Sequence, residues 1–397
     1  MTATVIITFC VLVILAYLFD LTSSKTKIPS VILLLVLGWE LHQIAGYFSL
    51  SVPDLSPALP ILGTVGLILI VLEGALELDF NKSKAQMIKK SFLMAFVPMV
   101  GIAFLMAYLC TLFGFPDFKK NLINVIPLCV ISSAIAIPSV NGLSHNDKEF
   151  VVYESSLSDI LGILFFNFVA LNEHINLDSV FQFSFQIVLI LAISLVATLG
   201  LALLMNKITH HIKYVPIVFI IILIYELSKE YELPGLIFIL IFGLFLGNLK
   251  KFRQNKYLSR LDLKALKSET FKFQKQVSEA TFLIRSLFFI LFGYLIRNDE
   301  LFNADTFVWA LGICGIIFLF RAFMIKVLKL KMFPLLTVAP RGLITILLFM
   351  SILPQDTIPI VSESLIIQMI VITAVVMMLG LMFHKSGTNE PIEEDED

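Results

Sequence analysis

Residues 149–171 read EFVVYESSLSDILGILFFNFVAL, a stretch that is long and apolar enough for a transmembrane helix. Four residues in it recur at i, i+3, i+4 and i+7, so a helix places them on one stripe: Ser155, Ser158, Asp159 and Gly162. Apolar or small residues follow Asp159, which predicts that its carboxylate lies well inside a bilayer. A charge there costs at least ~2.5–3.5 kcal/mol on insertion scales, so Asp159 indicates a functional site.

The rest of the 397-residue chain has the same apolar character. Hydrophobic residues make up 58% and charged residues 15%, and the mean hydropathy is +0.94, whereas soluble domains carry roughly 25% charged residues. These values exclude a soluble globular protein and a disordered chain. The net charge of −1 provides no field for a nucleic acid partner. The four cysteines have no CxxC spacing, so neither a disulfide framework nor a zinc site is predicted.

Similar apolar stretches follow one another along the chain, which predicts an all-α integral membrane protein with about 13 transmembrane helices. The predicted spans are 2–20, 28–47, 57–78, 91–113, 121–142, 149–171, 182–206, 214–228, 233–249, 279–296, 306–325, 332–352 and 362–383. The stretch 214–228 is short, and a re-entrant or partly buried helix is the alternative for it. The first span has no basic segment before it and no small-residue cleavage site, so we expect it to be retained.

Basic residues in the loops predict the orientation of the chain. With the N-terminus outside, 22 Lys and Arg residues fall in cytoplasmic loops and 4 in outer loops, which fits the positive-inside rule. The C-terminus is then cytoplasmic, in a plasma (bacterial inner) membrane. The Lys-rich stretch 250–278 is predicted to be a cytoplasmic loop, either an amphipathic segment on the membrane surface or a solvated linker. The acidic stretch 384–397 predicts a cytoplasmic tail.

Two of the spans are interrupted. In 121–142, Pro138 removes a helix hydrogen bond, and Ser132 and Ser133 are available for the backbone groups that become free. The span 332–352 contains a similar set of residues: Pro334, Thr337, Pro340, Arg341, Gly342 and Thr345. Interrupted helices at corresponding places in two halves of a chain point to a transporter substrate site.

Three arginines lie inside predicted spans and need partners. Arg321 is predicted to form a structural ion pair with Glu154. Arg341 is predicted to compensate the negative end of an interrupted helix. Arg285 has no evident partner in the sequence, and for Glu73 we leave open both a pairing with an arginine and a place on a dimer face.

These residues resemble motifs of the monovalent cation/proton antiporter superfamily, and the resemblance covers almost the whole chain. Glu154-Ser155-x-x-x-Asp159 is similar to the Glu-Ser-x-x-Asn-Asp pattern of electroneutral sodium/proton exchangers, with Ser158 in place of the Asn. Further segments that resemble family motifs are 67–79, 288–293, 316–321 and 339–342. The stretch 132–135, Ser-Ser-Ala-Ile, lacks the Asp that sodium/proton exchangers often carry in the first crossed helix. It looks more like the potassium-efflux branch.

The resemblance implies two inverted repeats with crossed discontinuous helices, a core and a dimerisation domain, and a homodimer that works by alternating access. It assigns the scaffold and dimerisation helices 1–3 to 1–90, core repeat A (helices 4–6) to 91–171, a linker helix to 182–206, scaffold and dimerisation helices 8–10 to 207–296, and core repeat B (helices 11–13) to 306–383.

The function predicted from these observations is exchange of a monovalent cation, Na⁺ or else Li⁺, for H⁺. The proton and cation site is assigned to Asp159 with four hydroxyls: Ser158, Ser155, Ser132 and Ser133. Burial penalises the ionised carboxylate, so we expect it to move across the membrane only with a proton or a cation bound. A single carboxylate predicts electroneutral exchange. We expect no cofactor besides the transported ions and, by analogy with the family, a role in pH homeostasis.

Two alternative transport functions remain open from the sequence. The first is K⁺/H⁺ exchange, which the missing Asp of the first crossed helix favours. The second is sodium-coupled symport of an organic anion, which would need an anion pocket and two sodium sites. A membrane-embedded enzyme is not favoured, because the sequence contains no HExxH, GxSxG or paired catalytic aspartates.

Overall fold

The computed structural model describes residues 2–26, 28–49, 52–78, 84–172, 177–207, 213–252 and 263–383. The middle of the predicted loop, 253–262, and the predicted tail, 384–397, lie outside the described residues. The α-helices are α1 (Thr2–Thr26), α2 (Ser30–Tyr47), α3 (Ala58–Glu77), α4 (Ala85–Leu112), α5 (Phe118–Cys129), α6 (Ser133–Ser139), α7 (His145–Leu171), α8 (Leu177–Lys207), α9 (Tyr214–Glu230), α10 (Leu236–Gly247), α11 (Leu263–Leu295), α12 (Asn298–Leu301), α13 (Ala304–Val327), α14 (Leu343–Met350) and α15 (Glu363–Phe383).

All regular secondary structure in the described ranges is helical, and ten helical segments there are long and apolar enough to cross a membrane. They are α1 to α4, α5 together with α6, α7, α8, α11, α13 and α15. The fold is therefore that of an all-α, multi-pass membrane protein. Shorter helices, α9, α10 and α14, occupy the other three predicted spans, so a total of 13 crossings stays a prediction.

Burial differs strongly between the helices. Only 6% of the apolar window of α1 is buried, against 67% in α3 and 83% in the α5–α6 segment. The exposed side chains of α1 and α8 are largely apolar, for example Ile7, Phe181 and Val196. Exposed apolar surface of this kind on membrane-spanning helices suits contact with lipid or with a second copy of the chain, and the more buried helices form the interior.

The helices associate in two groups. α4 packs on α5, α7 and α13, and α13 packs on α15; α11 packs on α2 and α3, and α3 packs on α10. The two groups meet where α3 contacts α7 and α14. The interrupted segments and α7 therefore lie together in the first group, next to α3 of the second.

Helix α11 begins at Leu263, so the prediction of a loop over 250–278 is wrong from residue 263 onwards. Leu266, Phe273 and Val277 recur with helical spacing, and all three are fully buried. Burying side chains of this size contributes roughly 1.5–3 kcal/mol each. This packed face stabilises a helix in a segment whose many lysines suggested a loop.

The second interrupted span is less regular than predicted. Turns occupy residues 333–337, an irregular stretch follows to Gly342, and only α14 is helical within 332–352. Pro334 and Pro340 have no N–H to donate and push the residues before them out of the helical conformation. The predicted interruption therefore takes up the first half of the span, and only α14 in the second half is helical.

Candidate functional site

Asp159 lies near the middle of α7. It follows the first residue of the helix, His145, by 14 positions and precedes the last, Leu171, by 12, which places it about 21 Å and about 18 Å from the two ends. The side chain of Ser144 caps the start of the helix by accepting from the amide of Asp147 at 3.3 Å. Asp159 itself is only 1% exposed, so its carboxylate lies deep in the membrane-spanning part of the protein.

The two carboxylate oxygens of Asp159 have different surroundings. Oδ2 accepts hydrogen bonds from the amide of Ser133, at 3.3 Å, and from the hydroxyl of the same residue. Oδ1 is buried and has no hydrogen-bond partner among the described residues. A buried polar atom without a partner is costly, so Oδ1 is the atom on which a proton or a cation would lower the free energy most.

Ser133 reaches Asp159 because the chain is extended between α5 and α6. The amide of Ser132 donates to the carbonyl of Pro340 at 2.9 Å, which joins this segment to the irregular segment before α14. A Cβ at Gly342 would lie 2.8 Å from Ser132 Oγ and 2.6 Å from Ile135 Cδ1. The lack of a side chain at Gly342 thus allows the two segments to cross in close contact.

The other predicted hydroxyls do not bind Asp159 directly in the described structure. Ser158 Oγ accepts from the amide of Ile131 at 2.9 Å, and the hydroxyl of Ser155 donates to the carbonyl of Val151 at 2.8 Å. Ser132 Oγ is buried and has no partner among the described residues. Ser158 therefore holds the extended segment against α7, and Ser155 binds its own helix.

Glu154 and Arg321 form a bidentate ion pair between α7 and α13. The Nη1–Oε1 distance is 2.5 Å and the Nη2–Oε2 distance is 2.9 Å. Arg321 also donates to the carbonyls of Leu335 (2.8 Å) and Val338 (3.0 Å). Since both side chains are almost fully buried, the pair neutralises Glu154 and ties the segment before α14 to both helices.

Arg341 compensates a helix end, but the end belongs to the other interrupted segment. Its guanidinium donates to the carbonyls of Leu128 (2.8 Å) and Cys129 (3.3 Å) at the end of α5, and to that of Ala339 (2.6 Å). Its amide donates to Thr373 Oγ1 of α15 at 3.0 Å. The positive charge thus lies at the negative end of α5.

Glu73 and Arg285 lie outside the crossing, on α3 and α11. Glu73 accepts from the hydroxyl of Ser278 at 2.5 Å. Arg285 contacts Asp20 of α1 at 3.5 Å, and Asp20 also accepts from Ser30 at 3.2 Å. The sequence did not suggest Asp20 as a partner because it lies at the end of the first predicted span, where a carboxylate can face water.

Two cavities lie on either side of Asp159 along α7. One, of about 280 Å³, lies among α3, α7, α9, α10 and α14; its lining begins at Ile160 and reaches Lys229 and Glu232. The other, of about 170 Å³, lies at the start of α7 and is lined by Glu77 and Lys148, among others. Within α7, the lining residue closest to Asp159 in sequence is Ile160 for the first cavity and Tyr153 for the second.

The geometry can be compared with known proteins. Residues 10–385 match the family model described as sodium/hydrogen exchanger, transmembrane, and no curated protein sequence matches the chain. A structure of the sodium proton antiporter MjNhaP1 from Methanocaldococcus jannaschii at pH 8 matches with a TM-score of 0.66 and 17% identity, over 96% of each chain. An electron microscopy structure of the same antiporter matches with a TM-score of 0.68 and 19% identity, again over 96% of each chain.

At these identities the solved structures show a shared fold. The family model, by contrast, covers nearly the whole chain and both interrupted segments. Its description is that of a transmembrane exchanger of sodium and hydrogen ions, which is a transporter and not an enzyme. The chain therefore belongs to the sodium/hydrogen exchanger family, whose members exchange monovalent cations for protons across a membrane.

Proposed function

We propose that this chain exchanges Na⁺ for H⁺, one for one, with Asp159 as the group that binds either ion. The observation that carries the proposal is the buried Oδ1 of Asp159, which has no partner among the described residues. A proton on this oxygen would neutralise the carboxylate, and a monovalent cation beside it would do the same. Because one carboxylate cannot hold both at once, binding of one ion releases the other.

The charges around the crossing support a one-for-one exchange. Among the described acidic residues, only Glu154 and Asp159 are buried, and Glu154 is held by Arg321. Arg341 is directed at carbonyl oxygens. Asp159 is thus the buried carboxylate whose charge is left to an exchangeable ion. The ionised, empty carboxylate would carry a desolvation penalty of several kcal/mol across the apolar interior, which opposes movement without an ion.

Oxygen atoms around Asp159 could complete a cation site. Ser133 lies in contact with Oδ2, and its hydroxyl can turn a lone pair toward a cation. Ser158 uses its oxygen to accept from Ile131 and retains a second lone pair. Ser155 and Ser132 also belong to the proposed site, but neither is hydrogen-bonded to Asp159 in the described structure.

The two cavities support alternating access to the site. The larger cavity lies between α7 and α14 on one side and α3, α9 and α10 on the other, so a shift of one helix group against the other would change its depth. We propose that it faces outward and that the smaller cavity faces the cytoplasm. The N-terminus would then be outside and the C-terminus cytoplasmic, in a plasma membrane. We also propose a homodimer and a role in pH homeostasis.

K⁺/H⁺ exchange is the second candidate. Ser133-Ala134-Ile135 fills the place where many sodium/proton exchangers carry Thr-Asp-Pro, so Ala134 stands where the resemblance predicts a second Asp. Its neighbour Ser133 lies against Asp159. A site with one carboxylate and several hydroxyls would bind a small cation less strongly than a site with two carboxylates. An ion series separates the two functions.

The test is cation-induced proton movement in proteoliposomes that contain the wild-type chain, with Na⁺, Li⁺ and K⁺ added in turn between pH 6 and pH 9. Asp159→Asn should abolish the exchange, because the neutral amide cannot bind and release a proton and has no charge to hold a cation. Asp147→Asn is the matched control, since it removes a half-buried carboxylate from the first turn of the same helix, far from Asp159. Exchange that persists in Asp159→Asn would disprove the assignment, and exchange with K⁺ alone would select the second candidate.

A further inference from the structure

The first part of α11 carries a line of exposed residues that transport does not use. Lys267, Phe271 and Lys275 recur every four residues, so their side chains follow one another along the helix. All three are exposed, and Phe271 is 73% exposed. We call these three residues the basic stripe. It is separate from the buried face of α11 that packs on α2 and α3.

The two lysines of the basic stripe form no ion pair within the described part of the chain, although the exposed Glu279 follows Lys275 by four residues. Lys272, which lies beside the stripe, donates to Glu269 at 3.2 Å, and Lys213 binds the same carboxylate. Neither Lys267 nor Lys275 forms an ion pair with a described residue. Two positive charges therefore stand about 12 Å apart, with an exposed aromatic ring between them.

The direction of the basic stripe follows from its neighbour α1. Phe282 lies three helical turns beyond Phe271 on the same side of α11, and Tyr17 of α1 packs on Phe282 with ring centroids 6.4 Å apart. α1 therefore covers this side of α11 farther along, and its own apolar side chains are mostly exposed. The stripe thus faces the same way as the exposed apolar surface of α1.

The depth of the basic stripe relative to the membrane follows from the lengths of α1 and α11. Nine residues separate Tyr17 from Thr26, the end of α1, which is about 14 Å, and eleven separate Phe282 from Phe271, which is about 17 Å. In the proposed topology α1 and α11 run antiparallel, so Phe271 lies just beyond the end of α1. That level is the boundary between the hydrocarbon core and the lipid headgroups.

We propose that the basic stripe binds the headgroups of anionic phospholipids, with phosphatidylglycerol as the representative chemistry. Lys267 and Lys275 would contact the phosphates, and Phe271 would insert its ring at the interface, where aromatic side chains are favourable. The complementary charge favours lipid over a second copy of the chain, because the stripe of a second copy would carry the same positive charges. The proposal does not depend on the ion that Asp159 binds.

The test is native mass spectrometry of the purified full-length chain with added phosphatidylglycerol or phosphatidylcholine of the same acyl chains. We expect phosphatidylglycerol to bind at least roughly tenfold more tightly. A surface lysine contributes about 1 kcal/mol to binding of anionic lipid, so Lys267→Gln/Lys275→Gln should weaken phosphatidylglycerol binding by roughly tenfold to thirtyfold. Lys267→Arg/Lys275→Arg should retain it, and Phe271→Ser should weaken it less than the double variant.

Lys326→Gln/Lys331→Gln is the matched control, because it removes two exposed lysines that the same topology places on the same membrane face. Equal affinity of the wild type for both lipids would overturn the proposal. So would an equal loss of phosphatidylglycerol binding in the control variant. A smaller particle mass in Lys267→Gln/Lys275→Gln, with lipid affinity unchanged, would instead assign the stripe to contact between two copies.

Discussion

Ser133 donates both its amide and its hydroxyl to a single oxygen of Asp159, and leaves the other oxygen without a partner among the described residues. The carboxylate is therefore held in one orientation by a residue that lies outside its own helix. This residue is available only because the chain is extended between α5 and α6. A continuous helix there would have used the Ser133 amide for its own ladder.

The hydroxyl of Ser133 should set the affinity for the transported cation. Ser133→Ala removes one donor to the ionised carboxylate, which is the form that binds a cation, and hydrogen bonds to charged groups contribute about 1.5–3 kcal/mol. We expect the apparent KM for Na⁺ at fixed pH to rise roughly tenfold. Ser133→Thr should stay near wild type in the same proton-flux assay. An unchanged KM in the alanine variant would show that the amide alone positions Asp159.

The ion pair between Glu154 and Arg321 should stabilise the folded protein. Arg321→Ala leaves a buried carboxylate and two carbonyl oxygens, of Leu335 and Val338, without their donor. We expect the free energy of unfolding to fall by about 3–5 kcal/mol, measured by denaturation in detergent. Arg321→Lys should recover only part of this, because an ammonium cannot bind the carboxylate and both carbonyls with the same geometry.

The control for this prediction is an exposed ion pair in the same chain. Arg297 binds Asp299 at 2.8 Å, and both side chains are about two-thirds exposed. Arg297→Ala should lower stability by less than about 1 kcal/mol, because water screens the pair and its ordering costs entropy. A loss in Arg321→Ala as small as that of Arg297→Ala would contradict a structural role for the buried pair.

A one-for-one exchange should not respond to membrane potential. With Asp159 as the buried carboxylate whose charge is exchanged, each half-cycle moves a neutral site and no net charge. We expect Na⁺-driven proton flux in proteoliposomes to change by less than about twofold when a potential near 100 mV is imposed, whereas a cycle that moves one net charge would gain about 2.3 kcal/mol. A flux that follows the sign of the potential would disprove the stoichiometry.

Much of the membrane topology can be predicted from the sequence, because apolar runs of about 20 residues are typical of membrane-spanning helices and rare elsewhere. The presence of the interruptions can be predicted as well, since proline and hydroxyl residues stand out within apolar runs. Their exact place cannot, because the first interrupted span breaks at 130–132 while Pro138 lies inside α6. The contacts made across the interruptions cannot. Arg341 binds carbonyls at the end of α5, more than 200 positions away in sequence, and no local pattern identifies backbone oxygens as partners. Likewise, the buried face of α11 is hidden in the sequence by the lysines on its exposed face.

The close packing of α7 on the extended segment should also be testable. Gly162 lies one helical turn after Asp159, and a Cβ there would lie 2.4 Å from Val130 Cγ2. Gly162→Ala must push the extended segment away from α7, a change that costs about 1–3 kcal/mol when packing is tight and that displaces Ser133 from Asp159. We expect the exchange rate to fall at least roughly tenfold, since displacements of about 1 Å have effects of this size or larger on a site.

Two variants make this prediction specific. Val130→Ala removes the methyl groups that a Cβ at residue 162 would meet, so Gly162→Ala/Val130→Ala should recover most of the exchange in proteoliposomes. Gly312→Ala in α13 is the matched control, because a Cβ there would have no neighbour within 4 Å. It should keep wild-type exchange and gain about 0.5–1 kcal/mol in stability, as alanine favours helix more than glycine does. If Gly162→Ala also kept wild-type exchange, the crossing would be able to widen without disturbing Asp159, and its close packing would not be needed for transport.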